Sequence, residues 1–144
     1  MPHPGELDGL FEDILDRLAA WANGQEDIRA VVIVGSRARD DRPADEWSDL
    51  DVILVANEPG LYVETTQWLR AMGSVAITFT ELTPDGVTTE RRVLYEGGVD
   101  VDFVPVSVDD FTNLLQDANA VVPTVLKRAH RFLVDKDGFT ERVA

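Results

Sequence analysis

The sequence predicts an α/β (α+β) domain, a mixed β-sheet with flanking helices. Three observations carry this reading: an apolar stripe at helical spacing opens the chain, two short β-branched runs follow, and a Gly-Gly step joins two further strand-like segments. At 144 residues the chain is long enough for one domain with its own core. No repeat, low-complexity tract or long linker divides it, so a single domain over 1–144 is expected.

Leu7, Leu10, Phe11, Ile14, Leu15, Leu18, Trp21 and Ala22 recur on one helical face, and Asn23-Gly24 supplies a stop. Ala30–Val34 is a β-branched strand halted by Gly35-Ser36. Leu50–Val55 reads as a strand buried on both faces beyond its first residues. Pro59-Gly60 opens a second helix, whose Leu61, Thr65, Trp68, Leu69 and Met72 share a face before Gly73 ends it. Val75, Ile77 and Phe79 alternate with Ala76, Thr78 and Thr80 as a strand does. Val87–Glu96 and Val99–Val106 flank Gly97-Gly98, the signal of a two-residue hairpin. With those glycines as the turn, Val93 faces Asp102 and Arg91 shares the face of Asp102 one diagonal step away. A helix over Val108–Leu115 is capped by Ser107, with Asp109 and Asp110 in its first turn. Residues 121–127 follow no decided pattern, and Phe132-Leu133-Val134 reads as a last short strand.

Composition narrows the function. Without cysteine there is no disulfide scaffold, cysteine–zinc site or thiol catalysis, and two histidines cannot make a histidine-rich cluster. No apolar run suits a membrane span, no secretory signal opens the chain, and a cytoplasmic location is the default expectation. The formal net charge of −14 argues against broad electrostatic binding to nucleic acid. It favours divalent cations or a cationic substrate, although most of this charge is read as a solubilising surface.

The acids must therefore be sorted one by one. With 17 Asp in the chain, about two Asp-x-Asp pairs are expected by chance. Asp135/Asp137 lies in Val-Asp-Lys-Asp-Gly and reads as a polar turn. Asp49 and Asp51 stand on one face at the mouth of the most apolar strand, where desolvation and mutual repulsion are costly. Asp100 and Asp102 repeat the pattern on another apolar strand. Carboxylates converging from neighbouring strands suit magnesium, and two such ions clamp an in-line phosphoryl displacement. Gly35-Ser36, ending a strand and followed by Arg37-Ala38-Arg39, offers backbone N–H groups, a hydroxyl and guanidinium groups to a phosphate.

The ordered set Val-Gly-Ser-Arg-Ala-Arg (34–39) and Trp-Ser-Asp-Leu-Asp-Val-Ile-Leu-Val (47–55) resembles the signature of the DNA polymerase β-like nucleotidyltransferase superfamily. Gln67-Trp68-Leu69, Leu94-Tyr95-Glu96-Gly97-Gly98, Val101-Asp102-Phe103 and Val134-Asp135-Lys136-Asp137-Gly138 are similar to stretches of the streptomycin (aminoglycoside 6-) adenylyltransferases. The resemblance implies a nucleotidyltransferase fold, with Asp49, Asp51 and Asp102 as catalytic, metal-binding carboxylates holding two magnesium ions. Asp100 falls where the pattern needs no acid. Gly35 and Ser36 match the phosphate-contacting turn, and Arg37 and Arg91 join them as nucleotide-binding candidates. The implied reaction transfers a nucleoside monophosphate, from ATP or another nucleoside triphosphate, to a hydroxyl of a small, possibly cationic acceptor such as an aminoglycoside. Family members continue into a helical C-terminal domain near where this sequence stops. A second class is therefore kept: a minimal nucleotidyltransferase-type antitoxin or regulatory domain acting on a helical partner protein.

Among the remaining candidates, Trp21 and Trp68 read as core. Trp47 is read as core or as a base-stacking group. His130, with Lys127, Arg128 and Arg131, reads as a solvated basic helix face.

Overall fold

The apolar runs of the sequence become the middle of a six-stranded sheet of order β3-β4-β5-β2-β1-β6. A computed structural model describes residues 4–34, 50–82, 86, 88–116 and 130–142. Helix α1 (Pro4–Asn23) leads into β1 (Ile28–Val34), β2 (Leu50–Ala56) and the short α2 (Gly60–Glu64). A 3-10 turn (Gln67–Ala71), β3 (Val75–Leu82), β4 (Thr89–Tyr95), β5 (Val99–Ser107), α3 (Val108–Gln116), β6 (His130–Asp135) and a final 3-10 turn (Phe139–Arg142) follow. β2 and β5 run parallel, and every other neighbouring pair is antiparallel. The expected mixed sheet with flanking helices is present.

Each face of the sheet has its own apolar cluster. On one face, Phe11, Ile14, Leu15 and Leu18 of α1 pack with Val31, Ile33, Val52, Leu54, Val93, Val101 and Phe103. Fully burying a side chain such as Phe103 contributes about 2 kcal/mol. Trp21 stacks on Trp68 at 5.3 Å between ring centroids, and Trp68 meets Phe103 edge-on at 4.9 Å. Both tryptophans are core, as their spacing indicated. On the other face, Ala30, Val32, Ile53 and Val55 are covered by Phe111 of α3 and by Phe139. Ser107 caps α3 as expected, its Oγ accepting from the Asp110 N–H at 3.0 Å.

Three local expectations are corrected. The single helix expected after Pro59-Gly60 is α2 followed by a separate 3-10 turn, with Thr65 extended at φ −107°, ψ 154°. The β-branched Thr65-Thr66 pair disfavours helix, and the Thr65 hydroxyl donates to the Leu61 carbonyl at 2.6 Å, competing with the backbone. Next, His130 and Arg131 belong to strand β6, not to a basic helix face, so their side chains alternate; Lys127, Arg128 and the undecided stretch 121–127 lie outside the described residues.

The third correction is the hairpin. The turn holds three residues, Glu96-Gly97-Gly98, closed by the Gly98 N–H donating to the Tyr95 carbonyl at 3.1 Å. Both glycines take positive φ, 103° and 95°, where a side chain is strained. The register slips by one from the expected pairing: Arg92, and not Val93, stands opposite Asp102.

The tail is tied down by its own acids. Asp135 accepts the N–H groups of Phe139 and Thr140 at 2.9 and 2.8 Å. Lys136 Nζ donates to the carbonyls of Ala22, in the last turn of α1, and Gln25, just after it, and Asp137 pairs with Arg29 at 2.7 Å. Asp135/Asp137 is the structural turn that the sequence suggested. No helix among the described residues is long and apolar enough to cross a membrane.

Candidate active site

The site grows from the parallel pairing at the centre of the sheet. Asp51 is the second residue of β2, Asp102 is the fourth of β5, and the two are register partners. Partners on adjacent strands present their side chains to the same face, with backbones about 4.8 Å apart. Here it is the face carrying Ile53 and Val55, beyond which α3 closes the sheet. Asp51 is half-buried and Asp102 is only 8% exposed. Two carboxylates so placed repel each other and lose hydration, which cations offset.

One cation belongs to the chain itself. Arg92 Nε donates to Asp102 Oδ1 at 2.8 Å, and its Nη1 donates to Glu81 Oε2 at 3.2 Å. The guanidinium carbon lies 5.9 Å from the centroid of the Phe79 ring. The hydrogen bond to Glu81, and then that to Asp102, hold the Arg92 pKa above its ordinary value against the opposing effect of burial.

These contacts form a single registered row. Phe79, Arg92, Asp102, Asp51, Val34 and His130 are successive partners across β3, β4, β5, β2, β1 and β6. His130 thus shares the face of Asp51 two strands away, about 10 Å. Asp100 sits on that face too, one alternation step from Asp102 and opposite Leu94.

Arg91 is elsewhere. The one-residue slip of the hairpin turns it to the opposite face, where it partners Phe103. There it is buried, its Nη2 donating to the Val63 carbonyl and its Nη1 to Thr78 Oγ1 at 3.4 Å. Its Nε has no hydrogen-bond partner among the described residues, and burial lowers its pKa. Arg91 braces α2 and β3 against β4 and does not share the face of Asp102. Arg92, Glu81 and Phe79 are what sequence reasoning missed. The available signal was the loop: counted as three residues ending in two glycines, it puts Arg92 opposite Asp102.

Gly35, Ser36, Arg37, Arg39, Trp47 and Asp49 lie outside the described residues. Among the described residues no group of three metal-ligating side chains forms. The donor chemistry of Asp51 and Asp102 fits a hard, oxygen-seeking cation such as magnesium. A cavity of about 550 Å³ lies at the far end of β5, lined among others by Pro59, Val63, Thr89, Ser107 and Asn113. Neither Asp51 nor Asp102 lines it, and a phosphate-and-metal site needs convergent charge more than apolar enclosure.

A family model for streptomycin adenylyltransferases matches residues 11–144. Among solved structures, the chain is similar to an aminoglycoside 6-adenyltransferase from Bacillus subtilis at 19% identity and a TM-score of 0.51, covering 81% of this chain and 39% of that one. At this identity the likeness shows a shared fold, and the chain spans well under half of that neighbour's length. A search of curated proteins found no match.

Proposed function

This chain belongs to the streptomycin adenylyltransferase family, and from that premise we propose that it is a metal-dependent nucleotidyltransferase. It transfers a nucleoside monophosphate, AMP from ATP or its counterpart from another nucleoside triphosphate, to a hydroxyl of a small acceptor such as an aminoglycoside. The observation that supports this most is the registered pair of carboxylates, Asp51 and Asp102, on one face of the sheet.

The residues divide the work by position. Asp49 and Asp51 would hold two magnesium ions, and Asp102 would share in holding one of them. When bound, magnesium offsets the triphosphate's charge and lowers the proton affinity of the acceptor hydroxyl. The hydroxyl oxygen forms a bond to the α-phosphorus as the bond to pyrophosphate breaks. Asp102 would take the hydroxyl proton. Gly35 and Ser36 would cradle phosphate oxygens with backbone N–H groups and a hydroxyl, and Arg37 adds charge beside them. The acidic surface draws a polycationic acceptor toward the site. The family match carries the enzyme reading and lends no support to an antitoxin acting on a helical protein.

Pyrophosphate release from ATP, magnesium and an aminoglycoside tests the proposal. Asp51→Asn keeps the side-chain shape and removes its charge, so release should fall at least a hundredfold or so. Release that survives this substitution would refute the assignment. Acceptor positioning supplies several kcal/mol of any such rate, so nucleotide binding is the more basic readout.

A further inference from the structure

Resting on the metal-binding reading of Asp51 and Asp102 above, we infer that Arg92 is the built-in counterion of the metal-free site. It is a cation of the chain that a divalent metal must displace from Asp102, and Glu81 is the anchor that keeps it nearby.

Three contacts among the described residues define the device. The guanidinium fork is divided between carboxylates on different strands, Nε to Asp102 on β5 and Nη1 to Glu81 on β3. Its third contact is the ring of Phe79, which is itself half exposed and lies beside Arg92 in the row. The side chain of Asp102 is 12% exposed and that of Glu81 49%, so one anchor lies within the acid pair and the other at its rim. On releasing Asp102 the guanidinium keeps the Glu81 carboxylate and the Phe79 ring. A lysine would carry the charge without a fork to divide.

The consequence follows from linkage. A unit positive charge 2.8 Å from an oxygen of Asp102 favours the metal-free state and opposes an arriving divalent cation. Arginine and metal are thus negatively coupled through Asp102, and each weakens the other's hold on it. Arg92 offsets the repulsion between Asp51 and Asp102 and so favours the fold in the absence of metal. The same contact lowers the site's affinity for the ion.

Isothermal titration of manganese or magnesium alone into the chelator-treated full chain, with melting curves in chelator, tests this. Arg92→Gln keeps a hydrogen-bond donor for Asp102 but removes the charge. Divalent affinity should rise roughly tenfold, while the melting temperature in chelator falls. Arg92→Lys, which keeps the charge, should stay near the wild-type affinity. Glu81→Gln should weaken divalent binding severalfold, because the guanidinium is left to Asp102. Unchanged or weaker divalent affinity in Arg92→Gln, with wild type binding normally, would overturn the inference and leave the proposed function standing. Absence of binding by both wild type and Arg92→Gln would overturn the metal reading and the inference together. Should Arg92→Gln fail to fold, Glu81→Gln decides: wild-type affinity there overturns the counterion role.

Discussion

Asp51 and Asp102 are register partners of one residue type, yet their surroundings make them unequal. Asp102 is bound by Arg92 at 2.8 Å, so Asp102→Asn in chelator should cost about 1–2 kcal/mol in a denaturant titration. Asp51→Asn removes one of two adjacent charges and should cost less than half of that. From the sequence the two acids look alike, because repulsion is visible in the spacing of acids and a cross-strand arginine is not. The neighbouring arginines separate just as sharply. Arg91→Met should change stability by no more than about 1 kcal/mol either way, since losing the Val63 contact is set against removing an unpartnered buried Nε. Magnesium-dependent ATP binding should be unaffected by it, because Arg91 lies on the other face. A titration of that variant with magnesium-ATP checks the assignment, and a large loss of affinity would return Arg91 to the site.

The hairpin between β4 and β5 decides which arginine serves the acids. Gly97 has φ 103°, and a Cβ there would stand 3.1 Å from Leu10 Cδ1. Gly97→Ala is therefore expected to lose about 1–2 kcal/mol in thermal or denaturant unfolding. Strands β1, β2 and β5 were legible because their runs are apolar and rich in β-branched residues, bounded by turn residues or acids. The register of β4 was not, since a Gly-Gly step fits a two- or a three-residue loop and a slip of one turns every side chain over. Helix α2 was misjudged because Leu61, Trp68 and Met72 keep helical spacing while Thr65-Thr66 breaks the backbone between them. The candidate site was half legible: the pattern of acids pointed to Asp51 and to the Asp100/Asp102 pair, the family resemblance chose Asp102, and Arg92, Glu81 and Phe79 needed the true pairing. At the C-terminal turn, burial raises the Asp135 pKa, but hydrogen bonds from Thr140, Phe139 and Gly138 outweigh it and hold the carboxyl below its ordinary value. A depressed carboxyl pKa stabilises the fold above the unfolded value, about 3.9, and that stabilisation is lost as pH falls through the folded value. Asp135→Asn should accordingly flatten the loss of stability below about pH 4 relative to wild type, as followed by acid titration of the melting temperature.

At the scale of the molecule, net charge and site chemistry act together. A formal charge of −14 destabilises the folded state by self-repulsion. Raising sodium chloride from about 0.05 to 0.5 M should therefore raise the melting temperature by a few degrees. That field draws cations toward every acid on the surface, but the sheet brings Asp51 and Asp102 together in one place beside Arg92. On the proposed function, specificity for a magnesium nucleotide comes from that place and not from the charge as a whole. The most direct measurement is the thermal shift produced by ATP with magnesium, compared with ATP in chelator, for wild type and Asp51→Asn. The account predicts stabilisation by ATP in wild type only when magnesium is present, and none in Asp51→Asn under either condition. Equal stabilisation of wild type by ATP in chelator and in magnesium would contradict it.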